Sequence, residues 1–114
     1  MISKHLIAAS SKPLVLAILK RGESYGYQII RKVRDVSRGS MEWSDGMLYP
    51  VLHRLEKEGL IASQWKMSEE GRPRRYYNIT PEGLKALETE MSMWHTVHDA
   101  VCAAWQLPDQ ADNR

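Results

Sequence analysis

The stretch IASQWKMSEEGRPRRYYNIT, residues 61–80, decides how this chain folds. Both of its ends alternate. Ile61, Ser63, Trp65 and Met67 share one parity, while Tyr77 and Ile79 fall on one face of the second run and Tyr76 and Asn78 on the other. Period-two alternation marks a strand with one buried face, and the SEEGRP segment between the runs has the composition of a turn. The pattern predicts a two-stranded hairpin with Arg72, Arg74 and Arg75 at or beside its tip, where a partner can reach them. Pro73 stiffens that tip and lowers the entropy lost on binding. One of the two tyrosines is expected to pack on the core with Trp65, leaving the other free to offer its hydroxyl.

Upstream, GMLYPVLHRLEKEGLI (46–61) reads as a helix starting near Gly46. At about 100° per residue, Leu48, Val51, Leu52 and Leu55 form an inner stripe. Gly46, Tyr49, Pro50, His53, Arg54 and Lys57 lie opposite, and Glu56 and Glu58 flank the stripe, so no acid stands on the outward face. Pro50 falls close to the first turn, where a missing N–H costs little, and Gly59 supplies the stop. Before it, ESYGYQIIRKVRDVSRG predicts a second helix capped by Ser24, with Ile29, Ile30, Val33 and Val36 inward and Gly39 at its end. KPLVLAILKRG predicts a first helix with Pro13 near its start and Gly22 beyond its end.

Downstream, Thr80 caps a last helix with Pro81 at its first position, running to about Gln106. Along it Leu84, Leu87, Met91, Trp94, His98, Val101 and Trp105 alternate spacings of three and four, a heptad seam too long for so small a domain to cover. Three helices and a hairpin make a winged helix-turn-helix. The expected fold is therefore mostly α with a small β-hairpin: a winged-helix DNA-binding domain over 1–79, then a C-terminal dimerisation helix and short tail over 80–114.

The 114 residues suffice for one domain with a modest core, and the composition is ordinary for a globular protein. A single cysteine, Cys102, excludes an internal disulfide framework and a thiolate zinc site and fits a reducing cytoplasm. The longest apolar run, PLVLAIL (13–19), is far too short to span a membrane. The N-terminal stretch lacks the uninterrupted apolar core and the small-x-small site of a secretion signal. Charge is uneven: residues 1–79 hold 14 Lys and Arg against 8 Asp and Glu, and residues 80–114 hold 2 against 6. A basic front and an acidic tail suggest that the front meets a polyanion.

A helix of this kind enters a DNA major groove, and Tyr49, His53, Arg54 and Lys57 are suitable donors on its outward face. Taken alone, that face reads equally well as a solvated surface. The wing arginines add the ability to pair with phosphates or to enter a narrow minor groove. HTVHD (95–99) has too few fixed ligands for a metal, and no oriented third group accompanies His98 and Cys102 as a nucleophile–base pair. No catalytic residue, cofactor or metal is expected.

YGYQI, LYPVLHRLEKEGLI, Trp65 and GRPRRYYNITPEG together resemble the PadR family of bacterial transcriptional regulators, over roughly residues 13–105. The resemblance implies a homodimeric winged-helix repressor of double-stranded DNA whose C-terminal helices form the dimer, here through Leu84, Leu87, Met91, Trp94, Val101 and Trp105. It places DNA contacts on Tyr49, Pro50, His53 and Arg54 and on Arg72, Arg74 and Arg75. Met47 stands where many relatives carry a small hydroxyl residue. The single terminal helix is similar to that of the short-tailed branch, some of whose members hold flat aromatic effectors between tryptophans of the two protomers. Trp94 matches that position, with His98 one turn on where an acidic side chain would suit a cationic ligand. Trp94 as simple filling of the dimer seam is the competing reading. Two other functions stay open: a winged-helix module that holds a protein partner, since residues 44–79 carry six Lys and Arg against five Asp and Glu, and, more remotely, a small enzyme built on His98 and Cys102.

Overall fold

The computed structural model describes residues 2–109. In chain order the elements are α1 (Lys4–Lys20), β1 (Ser24–Tyr25), α2 (Gly26–Val36), α3 (Asp45–Lys57), β2 (Ile61–Met67), β3 (Pro73–Ile79) and α4 (Pro81–Trp105). The helix-helix-helix-hairpin-helix order is the expected one, with two changes near the start.

First, α1 begins at Lys4, capped by the Ser3 hydroxyl, which accepts from Leu6 N–H at 3.2 Å, so Pro13 lies inside the helix rather than near its start. An interior proline costs about 3 kcal/mol in an isolated helix. Here Pro13 is buried in a row with Val15, Leu16, Ile18 and Leu19, and tertiary packing carries the helix through it. Second, Ser24 does not cap α2. It lies in β1, opposite Tyr77, and its buried Oγ accepts from Lys32 Nζ at 2.7 Å. Gln28 Oε1 instead takes the Tyr25 N–H at 3.2 Å. The expected hairpin therefore gains a third strand, in the order β1-β3-β2, all antiparallel.

The core joins Leu16 and Leu19 of α1, Ile29 and Val33 of α2, and Leu48, Leu52 and Leu55 of α3, with Ile61 and Tyr77 from the sheet. The four predicted inner residues of α3 are all buried. Trp43 closes the core from the α2–α3 connection and is 5% exposed. Val36, expected inside, is exposed because α2 ends at that residue and turns away. Gly59 stops α3 with φ of +79°, a left-handed conformation that favours glycine, and lets Leu60 N–H return to Leu55 O at 3.0 Å.

Leu60 also fixes the start of α4. Thr80 N–H donates to Leu60 O at 3.0 Å, and the Thr80 hydroxyl donates to Gly59 O at 2.7 Å while accepting from Gly83 N–H at 3.0 Å. Gly83 is buried on this joint: a Cβ there would meet the Leu60 carbonyl and stand 2.7 Å from Ile79 Cγ1. Beyond Leu87 the helix leaves the body, and its 25 residues extend a chain measuring 69 × 29 × 20 Å. Among the described residues no helix is long and apolar enough to cross a membrane.

Candidate nucleic-acid interface

The outward side of α3 has a centre and two edges. Pro50, His53 and Lys57 occupy the centre and are exposed. Tyr49 forms the edge toward α2 and the wing, and Arg54, in register with Met47 and Val51, forms the edge toward α1. His53, Arg54 and Lys57 make no ion pair among the described residues, so their charge and donors face outward uncompensated.

Tyr49 is positioned by α2. Its ring lies over Gly26, the first residue of α2, where an added Cβ would stand 2.9 Å from Tyr49 Cζ. The missing side chain at Gly26 thus sets how closely the two helices approach. Gly26→Ala is expected to cost under about 1 kcal/mol, because the tip of a tyrosine can swing aside, yet to displace Tyr49 from the edge of the interface. A urea melt close to that of the parent, with weakened DNA binding, is the expected pair of results.

The wing places its three arginines differently. Ser68–Arg72 forms the tip: Ser68 N–H donates to Arg72 O at 2.8 Å, and the Ser68 hydroxyl accepts from Arg72 N–H at 3.2 Å. The Arg72 side chain is exposed there, as expected. Arg74 and Arg75 are adjacent in a strand and point to opposite faces. Arg74 stacks on Tyr25 at 4.3 Å from the ring centroid. Its Nε lies 3.9 Å from Glu70 Oε1, too far for a hydrogen bond, and its buried N–H has no acceptor. Arg75 faces α3, donating to Glu56 Oε1 at 3.2 Å and to Ser63 Oγ at 2.9 Å, and Ser63 in turn donates to Glu56 Oε2 at 2.5 Å. The two residues that looked like free cations therefore also lock the wing, one to the start of α2 and the other to α3.

These contacts shape the local electrostatics. Glu70 is held below the usual carboxylate range by backbone hydrogen bonding and the Ser68 hydroxyl, with smaller help from Arg74 and Arg72. Burial pushes the Tyr77 phenol up, against the opposing pull of Arg75. Lys66 pairs with Glu23 and sits 4.8 Å from the centroid of Tyr76, whose ring meets Tyr25 edge-on.

Between the start of α2, α3 and the wing runs a groove of about 490 Å³. Tyr27 and Trp65 line it, and neither was assigned to the interface from the sequence. Tyr27 is 58% exposed, with Arg31 over its ring at 5.7 Å. Trp65 is 67% exposed rather than packed beside Tyr77. The strand pattern gave its face correctly, but β2 runs past the body after Ser63, so that face opens onto the groove instead of the core.

On α4, Leu87 is buried in the chain's own core and is not available to a partner. Leu84, Met91, Val97, Val101 and Trp105 remain exposed. Trp94 is half-buried against α1, with Met91, Pro13, Leu14 and Ala17 around a wholly apolar recess of about 340 Å³. His98 Nε2 lies 3.6 Å from Cys102 Sγ, and no metal-holding group of residues occurs among the described residues.

A helix-turn-helix whose second helix is cationic outward, braced by an arginine-bearing wing, defines a winged-helix DNA-binding protein. The chain belongs to the transcriptional regulator PadR-like family, which it matches over residues 15–89. It is similar to a transcriptional regulator of Clostridium thermocellum, 31% identical with a TM-score of 0.82 over 90% of this chain and 97% of that one. A PadR-like regulator of Bacillus cereus is also 31% identical, with a TM-score of 0.82 over 92% of this chain and all (100%) of its own. A transcriptional regulator of Mycobacterium tuberculosis is 46% identical over 54 residues, 47% of this chain and 50% of that protein. The protein is accordingly a regulator of transcription and not an enzyme.

Proposed function

We propose that the protein is a homodimeric repressor, acting in the cytoplasm, that reads a palindromic operator with the centre of α3 and grips flanking phosphates with the wing. The observation that carries the reading is the unpaired row His53, Arg54 and Lys57 beside the groove, with Arg72 at the wing tip in reach of the backbone. Arg74 and Arg75 join it as residues that hold the wing in place and present their remaining donors to phosphate. The exposed seam of α4 past Leu87 supports the dimer, since its apolar side chains find no cover within one chain. A two-fold dimer requires half-sites about one helical turn apart, or a multiple of that spacing.

Selection from a random double-stranded DNA pool, at low and near-physiological salt, tests this. An enriched palindrome that persists at the higher salt is expected. Binding that enriches nothing, or vanishes as salt rises, would indicate generic phosphate attraction and favour the protein-partner module.

The apolar recess beside Trp94 favours a second element of the reading, relief by a planar aromatic ligand stacked between Trp94 of each protomer, with His98 nearby. Such a ligand acts only by binding the DNA-competent and incompetent shapes unequally. Operator affinity unchanged at saturating ligand would leave Trp94 as filling of the seam.

A further inference from the structure

A second cleft, about 370 Å³, lies away from the α4 seam, between the first half of α1 and the start of α3. That volume is in the range of small-ligand sites. Its walls are apolar, from Ile7 and Ala8 of α1 and Met47 and Val51 of α3. Its two charged residues, Lys4 and Arg54, are both cationic, and neither is in an ion pair among the described residues. Trp43 lines the cleft as well. It is 5% exposed, and its buried indole N–H finds no acceptor among the described residues. Buried donors nearly always have a partner, so an unpaired one beside a cleft calls for an acceptor from outside the chain.

We propose that this cleft binds a small apolar monocarboxylate, its hydrocarbon body against Ile7, Ala8, Met47 and Val51 and its carboxylate paired with Arg54, near Lys4 and the Trp43 indole N–H. The chemistry selects that class. Two unpaired cations exclude an amine, and the apolar walls offer too few donors for a phosphate. A neutral alcohol with the same body would leave the guanidinium unpaired and gain only the apolar part of the binding.

The site has a regulatory consequence, and this part rests on the DNA-binding reading above. Arg54 is the edge of the reading helix, so a carboxylate that engages it competes with DNA for the same guanidinium. The anion would thus weaken operator binding from within one reading head, without any change at the α4 seam.

The test uses the full chain and three probes with one hydrocarbon body: sodium octanoate, octylamine and octanol. In 15N-labelled protein the Trp43 indole N–H signal is assigned by comparison with Trp65→Phe, Trp94→Phe and Trp105→Phe. Octanoate is expected to shift it saturably, with a Kd below about 1 mM. Octylamine should not shift it, and octanol should bind at least about tenfold more weakly, the factor that corresponds to 1.4 kcal/mol. Ala8→Leu, on an exposed face of α1, should fill the cleft and abolish the octanoate shift while leaving operator affinity unchanged. Absence of a saturable shift, equal shifts from all three probes, or a shift that survives Ala8→Leu would overturn the site. A saturable shift with operator affinity unchanged by octanoate would overturn only the competition at Arg54, and failure of the DNA selection would be visible separately.

Discussion

Gly83→Ala is expected to destabilise the fold by about 2–3 kcal/mol, although in an ordinary exposed helix the same change stabilises by about 1 kcal/mol. The sign reverses because of what the new methyl meets. A Cβ at Gly83 would press on the backbone carbonyl of Leu60 and lie 2.7 Å from Ile79 Cγ1. The Leu60 carbonyl also accepts the Thr80 N–H, so it cannot turn aside without breaking the bond that seats α4. The overlap therefore lifts the first turn of α4 off the base of the wing. Gly26→Ala is the control, since there the methyl meets only the mobile end of Tyr49. Denaturant melts of the two variants should separate clearly, and a Gly83→Ala melt equal to that of the parent would mean that the joint is more compliant than its geometry indicates.

Arg54→Ala should lower affinity for the selected operator by about 1–3 kcal/mol, roughly tenfold to a hundredfold, and should relax preference at particular base pairs. The basis is the free guanidinium at the edge of α3, which makes no ion pair with a neighbouring carboxylate. Arg72→Ala, at the wing tip, should act differently: a uniform loss across sequences and a shallower dependence on salt. Arg75→Ala should combine weaker binding with a loosened wing, because it also removes the bonds to Glu56 and Ser63. Titrations of operator and scrambled DNA at several salt concentrations distinguish the three. Equal losses on both DNAs for Arg54→Ala would reduce that residue to a phosphate contact.

Most of the fold was legible because its signals are local. The period of α3 found its buried stripe, Thr80-Pro81 marked the start of α4, and parity sorted Tyr77 from Tyr76. The failures share a different cause. Pro13 and Ser24 were read by local preference, but the packing of α1 and the pairing of β1 with β3, both between distant parts of the chain, set their places. Trp65 and Leu87 were given the correct face with the wrong environment, since a pattern shows which side chains align and not where the body beneath them ends. In the interface, residue type and position identified the cations of α3. The partnership of Arg75 with Glu56 was not visible because it joins two elements whose register no local signal fixes, and Tyr27 sat within a quoted motif with no exposure to mark it.

The joint at Leu60, Thr80 and Gly83 turns α4 into a rigid lever welded to the reading head. About 38 Å of helix extends from it, and a tilt of about 5° at the far end moves the opposite end by about 3 Å, close to the rise of one base pair. In a dimer built on that lever, small angular adjustments far from the DNA would change which spacing of half-sites the two heads can span together.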